Sequence, residues 1–309
     1  MKKLFILSCL IIPLFLSGCN SNSSSSIENL SSINEFSLDY ESFKASYGAA
    51  SLKCGDNVIT SNNGVYYINV TENKQTYELS GYFEGRIVIQ NGNQLSSYKG
   101  ISLVMNNAFI VNDDAATIDY TLDSKSFEIV STSNTTNYVV NKSATNYDGH
   151  SIYSMNNLGF TLEENSMLNI YSVHGHTIKA DGDVEVGGSG NAYLSSGHDG
   201  IHCHDFLAVY DGNLYSGNFT IDKAISQGIE ASKSSGNGEI HIYGGAFTIN
   251  NAESAMKVDV SITFTGGSLN GTGIWATPFV RATDNQIQLI VGDGISVVIN
   301  GTSYNSQTF

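Results

Sequence analysis

The sequence predicts an all-β solenoid, in which successive coils stack as a parallel β-helix. Three observations carry that prediction. Gly is abundant (31), Pro is scarce (2) and only 14% of residues are charged, a composition suited to short strands joined by tight turns. Between Ile178 and Gly267, apolar pairs recur at period two: Ile201/Cys203, Leu207/Val209, Ile240/Ile242 and Ile262/Phe264. That is the pattern of half-buried strands. The connecting segments, such as "KADGD", "SSGHDG", "VYDGN" and "FTGG", are rich in Gly, Asp, Asn and Ser. Strands this short cannot each anchor a core, so every turn of chain must stack on the one before. With 309 residues, 41% of them hydrophobic, the chain can bury a large core as one domain.

Counting gives the register. Ile152 to Leu158, Ile178 to Val184, Ile201 to Leu207 and Met256 to Ile262 are each six residues apart, and Phe160, Val186, Val209 and Phe264 follow two residues later. Ile229 to Ile240 is eleven residues, so "SKSSGNG" reads as a five-residue insertion at that corner. The coil starts at 152, 178, 201, 229 and 256 are 26, 23, 28 and 27 residues apart, within the range of repeat folds. Upstream, "VYYINV", "TYELSGYF", "RIVIQ", "ISLVMNNAFIV", "ATIDYTL" and "FEIVS" read as strands from Val65 onward. Ser133–Asn146 reads as a polar loop, and residues 33–53 as either a short amphipathic helix capping the open end or an irregular lead-in. A β-sandwich is the rival architecture, but it favours hairpins and longer strands.

The N-terminus reads as an address. Lys2 and Lys3 precede the apolar run Leu4–Leu16, followed by Leu16-Ser17-Gly18-Cys19. A basic start and an apolar run too short for a stable span mark a secretory signal. The four-residue ending resembles the bacterial lipobox, which implies lipidation of Cys19 and anchoring to the membrane in the bacterial cell envelope, on the extracytoplasmic side. The expected organisation is a signal in residues 1–18, a Ser-rich tether with a possible cap in 19–46, and the β-helix in 47–309. Cleavage would remove two of 14 basic residues and no acid, leaving 12 − 29 = −17. Such acidity argues against nucleic acid as a partner. The remaining cysteines, Cys54 and Cys203, are expected as separate thiols, with Cys203 inward as a small hydrophobe. The chain is expected to be a monomer.

With the register set, several segments in order match a known pattern: "YELSGYFEGRIVI", "SIYSMNNLGF", "HTIKADGDVEVGG", "DGIHCHDFLAVYDG" and "AMKVDVSITFTGG", then "GGSLNGTG" and "ATDNQ". From about Val65 to Gln286 the chain resembles the right-handed parallel β-helix proteins, related to pectate lyases, that bind calcium and cellulose or pectin at bacterial surfaces. The resemblance implies a polysaccharide partner and a calcium cofactor. An Asp expected in each coil is retained as Asp205 but replaced by Asn156, Gly182 and Val260, which leaves the number of calcium sites open.

Alternation then sorts side chains by face. If Ile178, Ile201, Ile229 and Met256 point inward, Tyr153, Lys179, His202, Glu230 and Lys257 form an outward column about 4.8 Å apart. Two positions on lie Met155, Asp181, His204, Ser232 and Asp259. This is either a ladder of opposite charges, each pair contributing about 0.2–1 kcal/mol, or a flat ligand face repeating along the axis as sugars repeat along a chain. Tyr210 and Tyr243 are candidate stacking platforms for pyranose rings, or shields for the sheet. Trp275 is expected to cap the core. Asp181, Asp183, Asp199, Asp205 and Asp211 fall at coil corners, where they either close their own turns or supply oxygens to calcium. His202 and His204 share a strand but lack a third ligand for zinc. Three functions fit: a carbohydrate binder using calcium, a calcium-dependent lyase with Lys179 as base, and a surface scaffold or adhesin. Acidic neighbours would make Lys179 a poorer base.

Overall fold

The computed structural model describes residues 38–92, 100–122, 127–145, 148–283 and 286–309. The signal, Cys19 and most of the tether lie outside the described residues.

The chain is a parallel β-helix with three faces. The first is a nine-stranded parallel sheet running from Val65–Val70 through Ile152–Ser154, Ile178–Ala180, Ile201–Cys203, Gln227–Ala231 and Ser254–Val258 to Phe279–Arg281. The second includes Phe127–Ser131, Leu158–Leu162, Val184–Gly188, Glu239–Ile242 and Ser261–Phe264, and the third Thr136–Asn141, Met167–Ser172, Asn191–Ser196, Asn218–Ala224 and Ala246–Asn250. Two long strands, Thr76–Glu84 and Ile101–Asn112, turn the corner between second and third faces, with a register shift between Leu79 and Gly81. A bulge of this kind re-aims a strand without ending its pairing.

The register is in phase over most of the stack. Ile152 pairs with Ile178, Ile178 with Ile201, Ile201 with Ile229 and Ile229 with Met256, and all five are fully buried or nearly so. Each such side chain contributes about 1.5–3 kcal/mol when buried. Cys203 is buried and free, and Cys54 is a separate free thiol.

Five expectations need correction. In the coil of Ile201 the inward residues of the second face are Phe206 and Ala208, both fully buried, and not Leu207 and Val209. Phe206 pairs with Val184 and Ile240, so the spacing is five residues there, and Phe206 takes the place that six-residue counting gave to Leu207. A one-residue slip inverts every side chain after it. Val209–Leu214 then leaves the coil as an antiparallel hairpin closed by Asp211-Gly212, both at positive φ, the geometry of a type I′ turn.

The segment read as a polar loop contains the strand Thr136–Asn141. Its polar appearance comes from Asn137 and Asn141, which are fully buried. Asn137 accepts from the Ala108 N–H (2.8 Å) and donates to Met105 O (3.2 Å), Ser131 Oγ (2.9 Å) and Thr135 Oγ1 (2.9 Å). A buried amide with every group engaged is compatible with a core.

The lead-in does form a helix, Tyr40–Tyr47, capped by Asp39, which accepts from the Ser42 N–H. It lies against the outer side of the third face and does not cap the end. Phe43 packs 4.7 Å from Phe109 and 5.0 Å from Tyr138, joining Tyr82, Phe109, Val111 and Val140 in a second apolar cluster. The first coil is instead edged by the hairpin of Ser51–Cys54 and Asn57–Ile59, antiparallel to Thr76–Glu84.

Finally, the second outward column is not a ladder. The strands end at Ser154, Ala180, Cys203, Ala231 and Val258, so those residues fall in corners. Asp259 is buried, its Oδ2 accepting from the Lys233 and Gly238 N–H groups at 2.8 Å. Trp275 is 46% exposed and lies outside the buried core it was expected to cap.

Candidate functional site

The first outward column is present as counted. Tyr153 pairs with Lys179, Lys179 with His202, His202 with Glu230 and Glu230 with Lys257. The strands of the first face present one of these side chains per coil on the outward side. Tyr153 donates from its hydroxyl to Asp181 Oδ2 (2.6 Å), and the Lys179 ammonium lies 6.0 Å from the Tyr153 ring centre, within cation–π range. Glu230 is buried and bonds Lys257 Nζ at 3.1 Å, with His202 Nδ1 at 3.9 Å from its other oxygen. Among the described residues Lys179 has no carboxylate at ion-pair distance, so of the two cations in the column it is the one left for a ligand. A groove of about 370 Å³ opens beside it, lined by Asp119, Thr121, Asp148, His150, Tyr153 and Lys179. Asp119 is paired with Arg86 on the neighbouring strand.

A second column stands two positions upstream of the inward residues: His150, His176, Asp199 and Gln227. Buried hydroxyls at the corner hold the turns that present it. Ser172 Oγ donates to Gly149 O (3.0 Å), and Ser196 Oγ is shared between Gly175 O (3.0 Å) and Asp199 O (2.6 Å). The His150 and His176 rings lie 5.1 Å apart, and the His176 N–H donates to His150 Nδ1 (3.3 Å). Burial, aided by the neighbouring His176, pushes the His150 imidazole down to about 3, so it is neutral at physiological pH. Asp199 is only 1% exposed. Its Oδ2 lies 3.2 Å from His176 Nδ1 and 3.3 Å from His198 Nδ1 and His202 Nδ1. Its Oδ1 accepts from the Gln227 N–H (2.9 Å). With its amide nitrogen turned to the carboxylates, Gln227 also donates to Asp199 Oδ1 and Glu230 Oε2, both at 3.1 Å. Burial raises the Asp199 carboxyl, but the surrounding imidazoles outweigh burial and hold it ionised, well below the usual carboxylate range.

Counting from the starts at 152, 178, 201 and 229 used only the positions after each start. Subtracting two from the same numbers would have exposed the second column; only Asp199 of it was a candidate.

The other candidates separate. His204 sits in the corner after Cys203, its N–H donating to Gly182 O at 2.8 Å. Tyr210 belongs to the hairpin, and its ring lies flat on the second face: a Cβ at Gly159 would be 2.1 Å from it. Tyr243 stacks on His241 (5.9 Å, 10°) and not on Tyr210. An aromatic stripe occurs instead on the third face, where Tyr138 stacks on Tyr171 (6.4 Å) and Tyr171 packs on Tyr193 (5.8 Å). These three rings lie on two adjoining outward rows that only the fold brings side by side.

The acidic candidates differ in kind. Asp181 is taken by Tyr153, and Asp199 by imidazoles. Asp205 is bound by the Lys233 ammonium and by the Glu239 N–H (2.8 Å). Asp183 and Asp211 have another neighbour, Glu185, whose carboxyl is raised first by burial and then by repulsion from both. Among the described residues the acid and imidazole atoms that converge within 4.8 Å of one another are those of His176, Asp199 and His202, so Asp183, Glu185 and Asp211 are neighbours without a shared point of convergence.

The fold and the outward column define a parallel β-helix with a groove on one face. The chain belongs to the carbohydrate-binding domain-containing protein family, whose model matches residues 63–288. Comparisons with curated proteins and with solved structures return no match.

Proposed function

We propose that the outward face of the first sheet binds a polysaccharide, cellulose or a pectin-type uronan, from a lipid anchor on Cys19 in the bacterial cell envelope. The observation that carries this reading is the outward column in unbroken register, one side chain per coil, beside the groove containing Tyr153 and Lys179. A repeating polymer meets polar side chains repeating at intervals of about 4.8 Å, and Lys179 supplies the positive charge that a uronate carboxylate needs. The family membership supports the ligand class. Calcium, where bound, would be drawn to the acidic corner around Asp183 and Asp211 and bridge to acidic sugars, with backbone carbonyls and waters completing its oxygen shell.

Affinity electrophoresis in gels containing polygalacturonate or cellulose derivatives tests the reading. Migration is expected to be retarded, less so with chelator, and retardation should weaken about tenfold in Lys179→Ala, equivalent to about 1.4 kcal/mol. Unretarded migration in both gels, with and without calcium, would sink it.

A further inference from the structure

The crowding of three imidazoles around one buried carboxylate oxygen is not explained by hydrogen bonding. Of the three, only His202 Nδ1 is aligned with Asp199 Oδ2 as a hydrogen bond. The Nδ1 atoms of His176 and His198 are closed off from solvent and have no hydrogen-bond partner, an arrangement that costs about 1–3 kcal/mol per orphaned group. The donor atoms of His176, Asp199 and His202 all lie within 4.8 Å of one another.

Those separations have a metric meaning. Zinc takes imidazole nitrogen at about 2.0–2.1 Å and carboxylate oxygen at about 2.0–2.2 Å in tetrahedral geometry, so adjacent ligand atoms stand roughly 3.3–3.4 Å apart. The nitrogens of His176, His198 and His202 are 3.2 Å, 3.3 Å and 3.3 Å from Asp199 Oδ2. The carboxylate is itself held from behind by the Gln227 N–H on its other oxygen, the outer-shell bond that orients a metal ligand.

We propose that His176, Asp199 and His202, with His198 as a fourth donor, form a binding site for a divalent d-block cation of the zinc type. Nitrogen-rich ligation by imidazole selects zinc, nickel or copper, whereas calcium asks for six to eight oxygens. A cation there would engage the Nδ1 atoms that are otherwise orphaned. It would add one positive charge in excess of the Asp199 carboxylate to the outward face next to Glu230. The inference does not depend on polysaccharide binding, because its ligands are set by the protein alone.

The test is calorimetric titration of zinc into the chelator-treated, dialysed chain, repeated with cobalt while recording the visible spectrum. One equivalent should bind saturably, millimolar calcium should not displace it, and cobalt should give the intense visible band of a tetrahedral nitrogen–oxygen site. His176→Ala and His202→Ala should each weaken zinc at least about tenfold, whereas His241→Ala, on the second face, should leave affinity unchanged. Far-ultraviolet circular dichroism checks that each variant is folded, and His176→Gln and His202→Asn replace any that is not. No saturable zinc uptake by the parent chain would overturn the proposal. So would equal affinity in folded variants of both histidines, or displacement by calcium.

Discussion

Asn137 shows how much one polar residue can carry in this core. Its side-chain oxygen satisfies the Ala108 N–H, and its NH2 adds a bond to the Met105 carbonyl, which also accepts from the Thr132 N–H. Asn137→Ala would leave the Ala108 N–H buried and unpaired, at about 1–3 kcal/mol. The variant should lose about 1–3 kcal/mol in chemical denaturation, with an unchanged m-value. Glu185 acts in the opposite sense. Its folded-state carboxyl is raised above the ordinary value of 4.5 by burial and by Asp183 and Asp211, so the folded state binds a proton more readily than the unfolded one. The stability this confers is present below the ordinary value and is lost as pH rises through the folded one. Glu185→Gln should therefore melt higher than the parent at neutral pH without calcium, with the advantage vanishing in acid. Calcium should raise the parent's melting temperature more than the variant's if it binds there, and thermal scans across pH and calcium read both effects.

At the scale of elements, the helix Tyr40–Tyr47 has no buried residue of its own and is too short to persist in water alone. It exists because Phe43 and Tyr47 cover the outer rings of Phe109 and Tyr138, and because Tyr47 donates its hydroxyl to Thr136 O (2.8 Å). Phe43→Ala should cost about 1–2 kcal/mol. The loss should be local, seen as faster amide exchange in residues 40–47 with the coils unaffected. The hairpin Val209–Leu214 is likewise an addition to one coil, placed by the Tyr210 ring lying on Gly159.

For the whole molecule, the stack must end without offering an open strand edge. The last coil is closed by two antiparallel pairings, Gln288–Val291 with Gln307–Thr308 and Ser296–Ile299 with Thr302–Ser303. Truncation after Asn300 would free both edges and should convert the chain to concentration-dependent oligomers, measured by light scattering after size exclusion. A parent chain that associates equally would refute this. The same stacking logic accounts for the first face: parallel pairing repeats the register from coil to coil, so a column of ligands is extended by adding coils.

Much of this was legible in the chain. Short apolar pairs separated by Gly-Asp turns imply stacking, and in-register starts at 152, 178, 201, 229 and 256 place Tyr153, Lys179, His202, Glu230 and Lys257 on one face, because inward and outward positions alternate strictly along a strand. Counting failed where a side chain broke the pattern's local logic. Phe206 entered one residue early, and Asn137 filled an inward position with an amide whose partners lie about thirty residues away in sequence. The meeting of His176, His198 and His202 on Asp199 belongs to the same class. Those residues come from two successive coils, and their distances are set by how corners of adjacent coils superpose, which periodicity along the chain does not contain.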